Sequence, residues 1–199
     1  MINEDWPLED ERLGFYLRHR HRIEEWAALG VEVRRATLDA FLSLGPEFEA
    51  IANELGADIG LDGSDTDFPR WSFRREWWPL VDGQPLVAIA LEAERRTLVA
   101  DSIAAAPAVG VRVHEPDARG APIREALLNV SRDPALGDLD YRSGRSRYWP
   151  AFRRVPADSE WWTSRDAWAG TLSAGVREAW TLLAPRVDAA VQAAQNPPT

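Results

Sequence analysis

The spacing of apolar residues changes once along this chain, and that change limits the folds open to it. Before residue 57, side chains recur at helical intervals, as in the stripe of Tyr16, Ile23 and Trp26 that also carries His19, which we expect at the edge of the core. From Trp71 onward, apolar and polar side chains alternate instead, as in a half-buried strand. Helices followed by alternating strands and a final helix are typical of the α+β class.

The helical part covers residues 8–56. We expect Gly30 to break or kink the first helix, because glycine weakens helix interiors. A further short helix begins at Pro46 and is followed by Gly56, the residue type that most often follows a helix. Residues 57–67 are acidic and contain glycine, so we expect a loop there.

The part from 68 to 195 predicts an antiparallel sheet of about four strands and a long C-terminal helix packed on it. The strands are expected within residues 71–77, 86–94, 109–113 and 146–155. Asp82-Gly83 is the expected hairpin turn, and Ser164 is expected to cap the last helix. Small Ala88 and Ala90 predict that another element, such as a helix, packs closely on one strand face. We expect residues 1–199 to form a single domain.

Composition excludes several kinds of chemistry. All 23 positively charged side chains are arginine, and the chain has no cysteine. There can therefore be no Schiff-base or phosphate-loop lysine, no thiolate nucleophile and no cysteine zinc site. The net charge of -9 argues against general binding to a phosphate backbone. Apolar stretches are too short for a membrane span and no basic signal region follows Met1, so we expect a cytoplasmic protein without a membrane partner.

Three acidic side chains could form a metal site. Glu92 and Glu94 are two residues apart on a predicted strand and therefore point to the same face. Together with Asp67 from the preceding segment, they could hold magnesium for phosphodiester hydrolysis. The alternative is a solvated strand end without a cofactor, which the adjoining Arg95 and Arg96 favour.

Two segments interleave arginine with aromatic residues. The first, RWSFRREWW, runs from residue 70 to 78, and the second, YRSGRSRYWPAFRR, from 141 to 154. Guanidinium groups stack on aromatic faces and bind carboxylates and phosphates, so these segments predict a binding surface. The alternative is an arginine–tryptophan layer that only covers the sheet. The candidate binding residues are Arg70, Trp71, Arg74, Trp77, Arg142, Arg145, Arg147, Trp149 and Arg153.

The run from Trp71 through Trp77, with LVAIALEAE and VGVRV after it, resembles uncharacterised bacterial proteins near the PD-(D/E)xK nuclease superfamily. Such proteins often place helices before a sheet with an acidic central strand. The superfamily's third catalytic position is usually lysine, whereas Glu92-Ala93-Glu94 stands at the corresponding place here. The resemblance therefore implies a member that has lost catalysis or has rebuilt it with other residues.

These features lead to two hypotheses about function. The first is a non-enzymatic binding or regulatory protein whose arginine–aromatic sheet face engages an acidic protein partner in preference to nucleic acid. The second is a divergent or inactivated metal-dependent nuclease that uses Asp67, Glu92 and Glu94 as magnesium ligands. The sequence also leaves a homodimer open.

Overall fold

The structure, a computed structural model, describes residues 11–94, 106–114, 119–130, 133–143, 148–155 and 164–196. The helices in this part of the chain are α1 (Glu11–Leu42), α2 (Gly45–Leu55), α3 (Gly120–Leu128), α4 (Pro134–Gly137) and α5 (Arg165–Gln195). The strands are β1 (Asp58–Asp62), β2 (Arg70–Arg74), β3 (Leu80–Val81), β4 (Gln84–Pro85), β5 (Val87–Glu92), β6 (Ala108–Val113) and β7 (Ala151–Arg154). This order confirms the expected α+β class. None of the described helices combines the length and apolar character needed to cross a membrane.

Five of the strands form one antiparallel sheet in the order β1-β2-β5-β6-β7. β3 and β4 form a separate hairpin, in which the turn residues Asp82 and Gly83 have φ angles of 51° and 78°. Positive φ at both central residues is what a two-residue hairpin turn of this kind requires, so the predicted turn is confirmed. β7 lies at one edge of the sheet, which is where Pro150, directly before it, can be accommodated.

The predicted helix ends are also confirmed. Gly56 follows α2 with φ 61° and ψ 40°, a left-handed conformation that glycine adopts without steric cost. At the start of α5, the Ser164 hydroxyl accepts a hydrogen bond from the Ala167 backbone N–H at 3.2 Å. Pro185 lies inside α5, which runs as one helix from Arg165 to Gln195.

α5 covers one face of the sheet and builds most of the core there. Leu172, Val176 and Leu183 recur at helical spacing along its buried side and are fully buried. Ile89 and Leu91 of β5 point toward this side and belong to the same apolar cluster. Each such side chain stabilises the fold by about 1.5–3 kcal/mol relative to an exposed one, so α5 is the main source of stability for the sheet.

A polar clamp joins α5 to the turn after β2. The Trp78 indole Nε1 donates a hydrogen bond to Asp188 Oδ1 at 2.8 Å, and Arg75 Nε donates to both Asp188 oxygens at 3.0 Å. The Arg75 guanidinium also lies 5.4 Å from the centre of the Trp180 ring. The second half of RWSFRREWW is therefore partly used in attaching the sheet to α5.

α1 is continuous through Gly30, so the expected interruption of the helix is wrong. Glycine costs a helix only about 1 kcal/mol relative to alanine, which neighbouring helix-forming residues can offset. The buried residues of α1 are Thr37, Leu38 and Phe41, close to its C-terminal end. Its apolar stripe does not face the core, and His19 is exposed instead of lying at the core edge.

Two further expectations about the strands are corrected. Residues 57–67 are not all loop, because Asp58–Asp62 forms β1. This edge strand contains Gly60 and acidic ends, and its pairing depends on opposite charges in β2 rather than on its own strand propensity. β2 ends at Arg74, so Trp77 lies in the following turn.

The aromatic contacts of α2 generate a stability prediction. Phe48 is completely buried, and its ring centre lies 5.7 Å from that of Trp71 and 6.2 Å from that of Phe73. We expect Phe48→Ala to lower the free energy of unfolding by about 3–5 kcal/mol, because it leaves a cavity in the core. The matched control is Phe68→Ala, since Phe68 is 46% exposed. Urea denaturation followed by circular dichroism measures both, and a similar loss in the two variants would contradict the packing described.

Candidate functional site

The side of the sheet opposite α5, which we call the open face, carries small, charged and aromatic side chains. Strand alternation places there the side chains that α5 does not cover. One row across the sheet joins the small residues Gly60, Ser72, Ala90 and Gly110 and ends at Phe152. This face has small side chains, as the sequence predicted, but it is Trp149 and not a helix that packs on Ala90 and Ala108.

A second row on the open face carries alternating charges. Asp62 pairs with Arg70 and Arg70 pairs with Glu92 in neighbouring strands. Arg70 Nη1 lies 3.5 Å from Glu92 Oε2, and Arg70 Nε lies 3.7 Å from Asp62 Oδ2. Arg112 in β6 completes the group, with its Nε 3.5 Å from the same Glu92 oxygen. Ser72 donates a hydrogen bond to Asp62 Oδ2 at 2.7 Å. Sequence reasoning assigned Asp62 to an acidic loop and missed Ser72 and Arg112, although the single arginine within the apolar strand VGVRV was a signal for Arg112.

Burial dominates the electrostatics of this row. The Glu92 side chain is only 15% exposed, and burial raises its pKa above the ordinary 4.5, although Arg112 and Arg70 act in the opposite direction. Burial also lowers the pKa of Arg112, and the positive charge of Arg70 contributes to this. The row therefore holds paired opposite charges that are poorly solvated.

Aromatic and basic side chains cover the β6–β7 end of the open face. Trp149 is buried against the strands, and its ring centre lies 5.9 Å from that of Phe152. The Arg112 guanidinium lies 5.0 Å from the centre of the Tyr148 ring, and that of Arg142 lies 5.8 Å from the Phe152 ring. We call Arg142, Tyr148, Trp149, Phe152 and Arg154 the basic–aromatic rim.

A shallow cavity of ≈ 200 Å³ lies at the opposite end of the open face. Its lining includes Asp58, Asp62, Ser72 and Arg74 of the sheet and Gln84 of the β3–β4 hairpin. Beside it is a hollow of ≈ 10 Å³ bounded in part by Arg70, Arg112 and His114, which is about the space that one water needs. The cavity has a mixed polar and apolar lining and opens near the charged row.

The structure places the first group of predicted binding residues on different sides of the sheet. Arg70 and Arg74 lie on the open face, each beside a carboxylate. Trp71 points to the other side, where it packs on Phe48 and is 7% exposed. Trp77 is 43% exposed in the turn after β2. Period-two alternation explains the separation of Trp71 from its arginine neighbours.

The second group is divided in the same way. Arg142 and Trp149 belong to the basic–aromatic rim, whereas Arg153 lies on the side of α5, where its Nη2 is 3.0 Å from Glu178 Oε2. Arg145 and Arg147 lie outside the described residues. The nine candidates therefore do not form one continuous surface, and Arg154, which was not among them, lies on the open face beside Ala108.

The three acidic candidates also lie in different surroundings. Glu92 is engaged by two guanidinium groups, and Glu94 lies beyond the end of β5, where its charge acts on Arg154. Asp67 lies between β1 and β2. Within the described part of the chain, no group of three or more acidic or histidine side chains is arranged to hold a metal ion.

No protein-family model matches this chain, and no curated protein and no solved structure is significantly similar to it. Inference about function therefore depends on the residues of the open face themselves.

Close contact between β6 and β7 generates a prediction about the rim. A Cβ atom on Gly110 would collide with the backbone of Ala151 and Phe152, whereas one on Gly60 of β1 would meet nothing within 4 Å. We expect Gly110→Ala to lower the free energy of unfolding by about 1–3 kcal/mol, as overpacking does. Gly60→Ala on the same face should change it by less than about 0.5 kcal/mol. Urea denaturation of both variants is the measurement, and equal effects would contradict this strand contact.

The raised pKa of Glu92 predicts how stability depends on pH. Folded Glu92 holds its proton more tightly than the unfolded chain does, so its contribution is greatest below the ordinary pKa of 4.5. That contribution falls as the pH rises from there through the folded pKa. We therefore expect the difference in unfolding free energy between the wild type and Glu92→Gln to decrease between pH 4 and pH 8.

Glu54→Gln is a control for which the pH dependence of stability should have the opposite sign. A hydrogen bond from Arg177 lowers the pKa of Glu54, so the contribution of Glu54 is present above its unfolded pKa and is lost as the pH falls. Chemical denaturation at each pH would measure both variants. If the difference in unfolding free energy for Glu92→Gln instead increased with pH, the two arginines would affect the Glu92 pKa more than burial does. The raised pKa of Glu92 would then be wrong.

Proposed function

We propose that this protein is a non-enzymatic binding protein that engages an acidic segment of a partner protein at the basic–aromatic rim. The observation that carries this proposal is the position of Arg142, whose side chain is 55% exposed and lies against the Phe152 ring. An exposed guanidinium on an aromatic surface can bind a carboxylate from one direction while its planar face stays on the ring.

The charge distribution on the open face supports an acidic ligand. Its described strands carry four arginines and the three carboxylates Asp58, Asp62 and Glu92. In addition, Arg142 forms an antiparallel bridge with Phe152 at the β7 edge. Near β1 and β2 each arginine has a carboxylate within 4 Å. Arg142 at the rim pairs with Asp140 at 3.9 Å, but both side chains are exposed, by 55% and 74%. The described strands of this face thus carry one more arginine than carboxylates, in a chain whose net charge is -9. The sequence adds Arg145 and Arg147 to the same segment.

Two features favour an acidic protein segment over nucleic acid. The negative net charge repels a phosphate backbone, which presents many charges at once, whereas a short acidic segment presents only a few. In addition, Trp149 is only 8% exposed and packs on alanines, so it cannot offer its ring to an unstacked base.

The second sequence hypothesis, a magnesium-dependent nuclease, has no such support. Glu92 already has Arg70 and Arg112 as neighbours, and these two positive charges oppose the approach of a metal ion. We therefore put forward the binding function alone.

Titration with a fluorescein-labelled glutamate-rich peptide tests the proposal. We expect Arg142→Ala to weaken peptide binding roughly tenfold, equivalent to about 1.4 kcal/mol, because a charge-assisted contact is lost. Fluorescence anisotropy at low and high salt measures the affinity, which should fall as salt screens the charges.

Arg177→Ala is the matched control. Arg177 is also exposed and paired with a carboxylate, Glu54, but it lies on α5 and not on the open face. Both variants remove one positive charge, so an equal loss of affinity would show that only net charge matters. Tighter binding of a single-stranded oligonucleotide of the same charge would also contradict an acidic protein ligand.

A further inference from the structure

The exposed part of α1 carries a seam of the coiled-coil type. Seven residues follow one another at alternating intervals of four and three, and all of them are exposed: Phe15, His19, Arg22, Trp26, Leu29, Val33 and Ala36. Four of these are large apolar side chains with exposed fractions from 43% to 68%. Alternating intervals of four and three keep side chains on one side of a helix that supercoils with another helix.

Exposure on this scale is costly for an isolated helix. Residues 11–36 extend for about 39 Å at 1.5 Å per residue, and none of them is buried in the protein. Most helices in proteins depend on packing of an apolar face for their stability, not on propensity alone. A helix that exposes several large apolar side chains close together marks a site of interaction with another molecule.

We propose that α1 pairs in antiparallel orientation with α1 of a second copy of this chain, about a two-fold axis near residue 24. In this register, residues whose numbers sum to about 48 lie opposite each other. Residue 12 then lies opposite residue 36, so the overlap covers the described part of α1 that is exposed and ends where α1 enters the core.

The seam residues are complementary to themselves in this register. Trp26 lies opposite Arg22 of the second copy, which allows guanidinium–indole stacking. Val33 packs opposite Phe15 of the second copy, an aliphatic side chain against an aromatic one. Each pair occurs twice because of the two-fold symmetry.

The positions that flank the seam determine the orientation. On one flank, Arg18 lies beside Glu32 of the second copy, which gives two opposite-charge pairs, and the two copies of Glu25 lie beside each other at the axis, which gives one like-charge pair. On the other flank, Tyr16 lies beside Gly30 of the second copy, where the missing side chain leaves room for the ring. A parallel pair would instead place Arg18 beside Ile23 and Glu32 beside Thr37, with no charge pair. Charge complementarity thus favours the antiparallel pair of identical chains.

The first experiment measures the oligomeric state of the full chain by sedimentation velocity over a range of concentrations. We expect a monomer–dimer equilibrium that Trp26→Arg weakens about 100-fold or more, because it places a second positive charge opposite Arg22 of the other copy on both sides of the axis. Trp77→Arg is the matched control, since Trp77 is 43% exposed but lies in the turn after β2. A wild-type chain that stays monomeric at all concentrations, or equal weakening by both variants, overturns the proposal.

A charge exchange tests the register. Arg18→Glu and Glu32→Arg should each weaken the dimer, and the combined variant should restore it, because each pair again has opposite charges. Residues 18 and 32 are too far apart in one helix to contact each other, so the restoration cannot arise within a single chain. Absence of any restoration would overturn the antiparallel register.

The orientation can be measured directly because the chain has no cysteine of its own. A single Ile23→Cys places two thiols near the two-fold axis, whereas Phe15→Cys separates them by about 27 Å along the helices. A short bis-maleimide should therefore crosslink the first variant into dimers and leave the second uncrosslinked. The reverse result would indicate parallel helices. None of these substitutions touches the basic–aromatic rim, so the dimer proposal can be wrong while the proposed binding function is correct. The binding function can likewise be wrong while the dimer proposal is correct.

Discussion

The structure depends on the packing of one helix against one face of one sheet. α5 supplies the apolar side chains that bury β5 and β6, and a single helix can cover only one side of a twisted sheet. Strand alternation then sends every second side chain to a face that none of the described helices covers. That face must be made from side chains that tolerate partial solvent, and in the described residues these are small residues, paired opposite charges and aromatic side chains such as Trp149. The open face is therefore a direct consequence of the α5 packing.

The charged row also fixes how the strands pair. Arg70 lies between Asp62 and Glu92, so it contacts an opposite charge on each side across neighbouring strands. A slip of one residue in either pairing would turn Arg70 toward α5 and bring Trp71 to the open face. The row thus selects the register that the apolar core also selects. Because the charged row and the apolar core select the same register, β1 has a defined position despite its weak strand propensity.

Local signals in the sequence were sufficient for several elements. The hairpin at Asp82-Gly83, the glycine after α2 and the serine cap of α5 each depend on residues close in the chain, and each was predicted correctly. The α+β class followed from the change of apolar spacing. These features needed no knowledge of which strands are neighbours.

Other features depend on contacts between distant segments and could not be predicted from local signals in the sequence. β1 is a strand because β2 pairs with it, and the pairing of β7 with β6 decides that Arg153 faces α5 while Arg154 faces the other side. Likewise, the charged group of Arg70, Glu92 and Arg112 comes from two separate pairings. For α1, the sequence indicated an apolar stripe but not that the stripe lies outside the core.

The exposed length of α1 has a consequence for how a partner could be held. Two chains joined along α1 place their globular parts at opposite ends of a rod of roughly 40 Å. Their two rims then act as separate sites in one assembly. A flexible linker reaches about 5–6 Å times the square root of its residue number, so two acidic segments about 50 residues apart in one partner could occupy both sites. Such bivalent attachment raises the apparent affinity by about 10²–10⁴ without any additional contact.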